Sequence, residues 1–142
     1  MIELFRLERE QDLQAAYAIR EQVFVVEQQV PREEEYDAFE ETSVHYLATY
    51  ENVPCGAACW RTTENGVKLE RFAVLQEYRN RQVGGHILQA VLQDVQAAHP
   101  ERSIYLHAQL PALNFYKRHG FEVVGELFSE CDIDHYKMIY RG

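Results

Sequence analysis

Positive charge is in short supply in this chain: 14 Lys and Arg stand against 23 Asp and Glu, a formal charge of −9. That balance argues against nucleic acid as a partner, because phosphate backbones are bound by clustered Lys and Arg. It suits an amine-bearing or cationic substrate better, besides favouring solubility. Long apolar runs are missing too. Nothing approaches the roughly 18 uninterrupted apolar residues that a membrane helix needs. The opening MIELFRLERE alternates apolar and charged residues as a strand does, unlike a signal peptide. The expectation is a cytoplasmic protein with no membrane partner. Cysteine is sparse: Cys55, Cys59 and Cys131 make an odd set without a CxxC pair. On one strand Cys55 and Cys59 would lie about 13 Å apart, beyond the roughly 7 Å that a disulfide allows and beyond sharing a zinc. No metal site is expected, and these cysteines read as buried small hydrophobes. Also absent are a GxxxxGK(S/T) phosphate loop, an early GxGxxG, and any recognisable Ser-His-Asp or Cys-His signature.

What is present reads as one domain over residues 1–142, with 46 % hydrophobic and 26 % charged residues. Ile2 to Leu7 alternates as a strand. From Asp12, a candidate cap, Leu13, Ala16, Tyr17, Arg20, Val23 and Phe24 recur at helical spacing until Pro31. PREEEYDAFEE, Pro31 to Glu41, is acidic: a solvated loop with a short helix, or one wall of a site for a cationic acceptor. VHYLATY (Val44 to Tyr50), CGAACWRT (Cys55 to Thr62) and VKLERFAVL (Val67 to Leu75) then read as neighbouring antiparallel strands, separated by the turn signals ENVP and ENG. Val83, Ile87, Leu88, Val91, Leu92 and Val95 form one apolar helical stripe that Pro100 stops. SIYLHAQ reads as a buried strand, PALNFYKRHG as a short helix from Pro111 to Gly120, and FEVVGELF and HYKMIY as two last strands. The order βα(α)βββαβαββ describes an α/β or α+β sandwich around one mixed sheet.

One stretch carries chemistry. EYRNRQVGGHIL, Glu77 to Leu88, sets two arginines and a glycine pair at the start of the long helix. The first turn of a helix has backbone N–H groups without internal partners and a partially positive dipole end. Gly84 and Gly85 remove side chains that would keep an anion from that backbone, and Arg79 and Arg81 add charges that suit phosphate oxygens. The plainer reading is a turn and a solvated helix start.

Arg79-Asn80-Arg81-Gln82-Val83-Gly84 resembles the pyrophosphate loop of the GNAT superfamily of acyl-CoA-dependent N-acyltransferases, RxxGxG with RxxQxG variants. HAQLPALNFYKRHGF is similar to that family's later motif, (N/Q)xxAxxFYxxxGF, through Gln109, Ala112, Phe115, Tyr116, Gly120 and Phe121. REQVFVVEQQVPREEEYD looks like the small bacterial ElaA-like and YjcF-like branch. The likeness spans nearly the whole chain. Two positions depart from the pattern: Gln82 replaces the first loop glycine, leaving the backbone less free, and Gln109 replaces the usual asparagine.

The resemblance implies a mixed, mostly antiparallel sheet of about seven strands flanked by helices, with acetyl-CoA as cosubstrate, no metal, and a small-molecule or peptide amine as acceptor. It implies that Phe72, Ala73 and Val74 pair with the pantetheine arm. Arg79, Arg81, Gln82, Val83, Gly84, Gly85 and His86 would hold the diphosphate, and Gln109 would bind the cofactor as well. The amine would attack the thioester directly, and Tyr116 stands in the family position for the acid that meets the leaving thiolate. Glu70 is the first choice for the base, since on a regular strand it shares a side with Phe72 and Val74. Its plainer reading is a carboxylate paired with Lys68 or Arg71. His45 and His107 are weaker choices. Arg20, Phe24, Glu27 and Trp60 could line the acceptor pocket, although structural roles are the plainer reading of each. A CoA-binding sensor without turnover is the alternative. A maker of acyl-homoserine lactones, suggested by Arg20-x-x-Val23-Phe24, fits the glycine-bearing loop poorly. A homodimer is allowed, but no hydrophobic feature requires one.

Overall fold

The computed structural model describes residues 1–7, 13–30 and 43–142. Asp12 and the acidic stretch from Pro31 to Glu41 lie outside the described residues. Strand β1 (Ile2–Leu7) precedes helix α1 (Leu13–Arg20), whose last turns widen into a π-helical segment, Glu21–Glu27. Strands β2 (Val44–Tyr50), β3 (Val53–Thr63) and β4 (Gly66–Val74) follow, then helix α2 (Val83–Ala98). Strand β5 (Ile104–Gln109), helix α3 (Leu113–Arg118), and strands β6 (Phe121–Glu130) and β7 (Ile133–Tyr140) complete the order.

The strands form one seven-stranded sheet in the order β1-β2-β3-β4-β5-β7-β6. Every pairing is antiparallel except β4 with β5. A parallel pair needs a crossover, and α2 supplies it. The β2–β3 turn is a tight one in which Glu51 and Asn52 both take positive φ, 49° and 67°, the twist that two-residue hairpins favour. Strand β3 therefore starts at Val53, two residues ahead of the expected Cys55. Cys55 and Cys59 share this strand, buried and unbonded to each other, and Cys131 is exposed.

The α2 stripe is buried as the spacing predicts: Val83, Ile87, Leu88, Val91, Leu92 and Val95 all pack on one face of the sheet against Tyr46, Trp60 and Leu69. Burying each such side chain contributes about 1.5–3 kcal/mol. Trp60 Nε1 donates to Tyr46 Oη (3.0 Å), and Tyr46 Oη donates to Asp94 Oδ2 (2.7 Å), tying β3 and β2 to the middle of α2. Helix α1 and the π-helical segment cover the other face, where Ala16, Ile19 and Val23 meet Ala57 and Ala73.

Two irregularities shape the site. Strand β4 bulges at Arg71, whose φ is +54°. Cys59 pairs with Glu70, yet Ala57 pairs with Ala73, so an extra residue sits in β4. A bulge breaks the strand's period of two. Phe72 and Val74 consequently face α2, whereas Glu70 faces the α1 side with its partner Cys59. This corrects the expectation that Glu70 shares a side with Phe72 and Val74. The second irregularity is a wedge: β4 and β5 pair only through Val67↔Ile104, Lys68↔Tyr105 and Leu69↔Leu106. Beyond those residues the two strands diverge.

Candidate active site

The wedge opens into a cavity of about 1240 Å³. Its walls are the diverging ends of β4 and β5, and its floor includes Tyr116 on α3. The start of α2 stands on one side and the β6–β7 hairpin on the other. Phe72, Ala73 and Val74 line it, as expected for strand residues whose free edge faces the gap. Asn80, Gln82, Val83, Gly84, Gly85 and His86 line it as well.

At the entrance to α2 the backbone is arranged for an anion. The first helical bond runs from His86 N to Gln82 O, 3.1 Å, so the N–H groups of Val83, Gly84 and Gly85 have no partner inside the helix. No side chain caps this end and no acidic residue sits in its first turn. The glycines are not demanded by conformation, since neither has positive φ. Nor are they demanded by packing. A Cβ on Gly84 would sit 3.4 Å from Phe115 Cζ, and one on Gly85 3.5 Å from His119 Cε1, ordinary contacts both. Inside a helix glycine costs up to about 1 kcal/mol relative to alanine; in this first turn the missing side chains leave room for a ligand to approach the backbone. Gln82, at the position where the resemblance has a glycine, adopts the left-handed conformation, φ 67° and ψ 13°, a region that glycine enters most freely.

The two arginines behave differently from the expectation. Arg79 does not present a free guanidinium to the cavity: Nη1 and Nη2 each donate to the Glu27 carboxylate at 2.7 Å, and Nε donates to Val74 O at 2.9 Å. That bidentate contact holds the Glu27 carboxyl below its ordinary range and ties the π-helical segment to the end of β4. Arg81 does not line the cavity. Its guanidinium lies 5.2 Å over the Tyr50 ring and 5.6 Å over that of Tyr78, a cation–π attachment that turns it outward. Besides the paired Arg79, the cavity is lined by Arg118 of α3, with His119 beside it. Their helix was identified from the sequence but their direction was not, because which side of a single-turn helix faces a cavity depends on tertiary packing.

Tyr116 is buried in the aromatic cluster of Phe72, Phe115 and Phe121. That burial pushes its phenol well above the usual range, so it remains a protonated donor. Gln109 lines the cavity with its amide Nε2 donating to Gln28 Oε1 at 2.9 Å. With the Glu27–Arg79 pair, this bond straps the segment after α1 across both diverging strands. Phe24 reaches the cavity. Among the proposed pocket residues, Arg20 is buried with its guanidinium over Tyr17, and Trp60 belongs to the core on the α2 side.

On the α1 face of the wedge sits a charged group. Glu70 accepts from Arg61 Nε at 2.6 Å and pairs with Lys68 Nζ at 3.4 Å, so Lys68, but with Arg61 in place of Arg71, is its partner. His107 begins the diverging part of β5, and its Nδ1 lies 3.4 Å from Glu130 Oε2. His135 Nε2 is 3.9 Å from the other Glu130 oxygen. His45 is buried against Tyr17, away from the cavity. No group of three His, Cys, Asp or Glu suited to a metal is found among the described residues. No helix of the described residues is long and apolar enough to cross a membrane.

A splayed mixed sheet with an uncapped glycine-bearing helix start at its wedge defines an acyl-CoA-dependent acetyltransferase fold, and the comparisons with known proteins agree. The chain belongs to the acetyltransferase (GNAT) domain family, which matches residues 9–141. It is 40 % identical over 131 residues to the uncharacterized N-acetyltransferase YjcF of Bacillus subtilis (strain 168), covering 92 % of this chain and 93 % of that one. The crystal structure of Escherichia coli ElaA superposes with a TM-score of 0.85 at 27 % identity, over 99 % of this chain and 100 % of ElaA. A GNAT family acetyltransferase from Elizabethkingia anophelis with acetyl-CoA bound shares the fold, with a TM-score of 0.67 at 16 % identity, over 97 % and 94 % of the two chains.

Proposed function

We propose that this protein is a cytoplasmic N-acetyltransferase, a single domain over residues 1–142, that moves an acetyl group from acetyl-CoA to a primary amine within a ternary complex. The observation carrying this reading is the open α2 N-terminus with two glycines that neither conformation nor packing requires, facing a cavity of about 1240 Å³. Acetyl-CoA, when bound, supplies an acyl thioester. The amides of Val83, Gly84 and Gly85 receive its diphosphate, with the His86 side chain beside them, Gln82 shaping the turn and Arg118 adding charge from α3. The free edge of Phe72, Ala73 and Val74 receives the pantetheine arm, much as an added strand would pair. Arg79 and Gln109 act one step back by fixing the strap through Glu27 and Gln28.

Two proton tasks remain. The departing sulfur is a thiolate, for which the Tyr116 hydroxyl is the donor within the buried end of the cavity. Since a thiol titrates near 8.5 and Tyr116 is raised above an ordinary phenol, full proton transfer from Tyr116 is uphill. Its contribution is a strong hydrogen bond, with the proton itself drawn from water. The other task is to deprotonate the acceptor, which as an alkylammonium is neutral in only about one molecule in a thousand at pH 7. Glu70, the expected base, already carries Arg61 and Lys68 on its two oxygens.

Replacement of Tyr116 by phenylalanine tests the reading. The enzyme should lose about 10- to 100-fold in kcat while titration calorimetry shows unchanged CoA affinity. Binding of CoA without thiol release across a broad amine screen favours the sensor alternative, and no uptake at millimolar CoA removes both.

A further inference from the structure

The face of the wedge toward α1 carries a group that the acetyl-CoA contacts leave unused. We propose that His107, positioned by Glu130, is the general base that takes a proton from the acceptor's ammonium group; this rests on the transferase reading above. The sheet register places it. Leu69↔Leu106 is the last pair of the parallel ladder, so Glu70 and His107 are the first residues beyond it, one on each side of the opening. Both project toward the α1 face, since Glu70 pairs with Cys59 and His107 follows Tyr105 by two along β5. The two differ in their partners. Glu70 holds Arg61 and Lys68 on its two oxygens, whereas among the described residues His107 is hydrogen-bonded only at Nδ1, by Glu130, and imidazole is the commonest general base.

Every element packed around His107 contributes a facing group. Lys68 comes from β4, Tyr105 from β5 itself, Glu130 from β6, and His135 and Lys137 from β7. Phe128 lies edge-on to the His107 ring at 5.0 Å and stacked on His135 at 5.8 Å, holding both imidazoles. His135 is committed elsewhere: its Nδ1 lies 2.7 Å from Ile133 O. The Glu130 carboxyl is lowered, first by its hydrogen bond with His107, with burial opposing and the nearby Lys68 charge adding to the lowering. A carboxylate at Nδ1 selects the tautomer with the proton on that nitrogen and the lone pair on Nε2. The 3.4 Å separation is long, as such contacts often are before substrate arrives.

The step then balances. The amine nitrogen forms a bond to the thioester carbonyl carbon, and the carbon–sulfur bond breaks with its electron pair on sulfur. Of the two protons that nitrogen loses from its ammonium form, one passes to His107 Nε2 and on to solvent. The other goes to water, replacing the proton that the sulfur takes up from water beside Tyr116.

The test uses the whole protein with histidine labelled in nitrogen-15, saturated with CoA, and observed by long-range proton–nitrogen correlation. His107 is expected as the Nδ1–H tautomer, and Glu130→Gln should shift the tautomer ratio and slow transfer to an ammonium acceptor more than to a neutral one, the second of which a merely structural pair would not do. In parallel, acetyl transfer is measured to n-butylamine, an ammonium at neutral pH, and to methoxyamine, which is already neutral there. His107→Gln should slow the first by about 100-fold and the second by under tenfold, with CoA affinity unchanged. A His107 Nε2–H tautomer in the CoA complex, or equal losses on the two amines, overturns the assignment while the transferase reading stands. Absence of CoA uptake, or of any turnover by the wild type, strikes the transferase reading instead. Should His107→Gln fail to fold, the wild-type tautomer together with the selective slowing of n-butylamine over methoxyamine in Glu130→Gln still decides.

Discussion

The cavity has two halves made of different material. Around the α2 start the contacts offered to a ligand are mainly backbone N–H groups and the free edge of β4, with Arg118 the cationic side chain proposed to join them. Across the wedge, toward α1 and the β6–β7 hairpin, they are side chains: Glu70, Lys68 and Arg61 in one cluster, His107, Glu130 and His135 in another. Backbone geometry suits one invariant ligand, since it depends less on side-chain identity; Gln82 in the left-handed region that favours glycine fits that. A surface of charged side chains is instead specific, and it changes with each substitution. The first half suits the constant donor of the family and the second the varying acceptor.

The largest test of this division is Gly84→Asp. An acidic side chain at a helix N-terminus is favourable by about 0.3–1 kcal/mol, and removing a helical glycine adds roughly the same. The empty protein should therefore melt higher. CoA affinity should nevertheless fall at least about 100-fold, because the new carboxylate occupies the anion's place. Opposite signs in a thermal melt and a calorimetric titration would set the α2 start apart as a binding site. A variant that loses stability and affinity together would return the glycines to a packing role.

A second contrast sets the two guanidinium groups against each other. Arg118 lines the cavity and Arg81 is stacked on Tyr50 and Tyr78. Arg118→Ala should weaken CoA about tenfold, the loss of one charge-assisted contact, and Arg81→Ala by less than about twofold. Titrations of both variants, repeated at higher salt, check this, and the reverse ranking would restore Arg81 to the phosphate site.

The division between the halves also governs how much could be read from the sequence. The backbone half is contiguous: Gln82 to His86 is a single run, the strand before it alternates, and the apolar stripe of α2 has helical period, so local rules suffice. The seven strands and both helices after β4 were legible for the same reason. What was not legible depends on contacts across long chain separations or on single backbone angles. Arg79 meets Glu27 and Gln109 meets Gln28, and neither spacing leaves a local trace. The bulge at Arg71 reverses the direction of Glu70 through one positive φ, at a residue type that does not announce it. Glu130 and His135 join His107 only once β7 has inserted between β5 and β6.

The strap between the halves gives a smaller, pH-dependent effect. Glu27 is lowered from its ordinary 4.5, chiefly by the hydrogen bond from Arg79. A carboxyl lowered in the folded state contributes stability that is complete above its unfolded value and is lost as pH falls through the folded one. With Glu27 and Arg79 each about a third exposed (35 % and 36 %), solvent screening holds this to under about 1 kcal/mol. Glu27→Gln should thus melt slightly lower than the wild type at pH 7, and the gap should close below about pH 4. A gap that stays constant with pH would mean that the strap is held by packing alone.

The smallest effect concerns the one place where the backbone half departs from its family pattern. Gln82 sits at φ 67°, where a side chain costs about 1–2 kcal/mol relative to glycine. Glycine gives back part of that by gaining freedom in the unfolded chain. Gln82→Gly should therefore raise stability by only about 0.5 kcal/mol, read from denaturant midpoints at constant slope. CoA affinity should stay within about twofold, since the loop already has the shape that glycine would allow. A marked gain in affinity would mean that the Gln82 side chain obstructs the anion, and that the backbone half is less indifferent to sequence than its geometry implies.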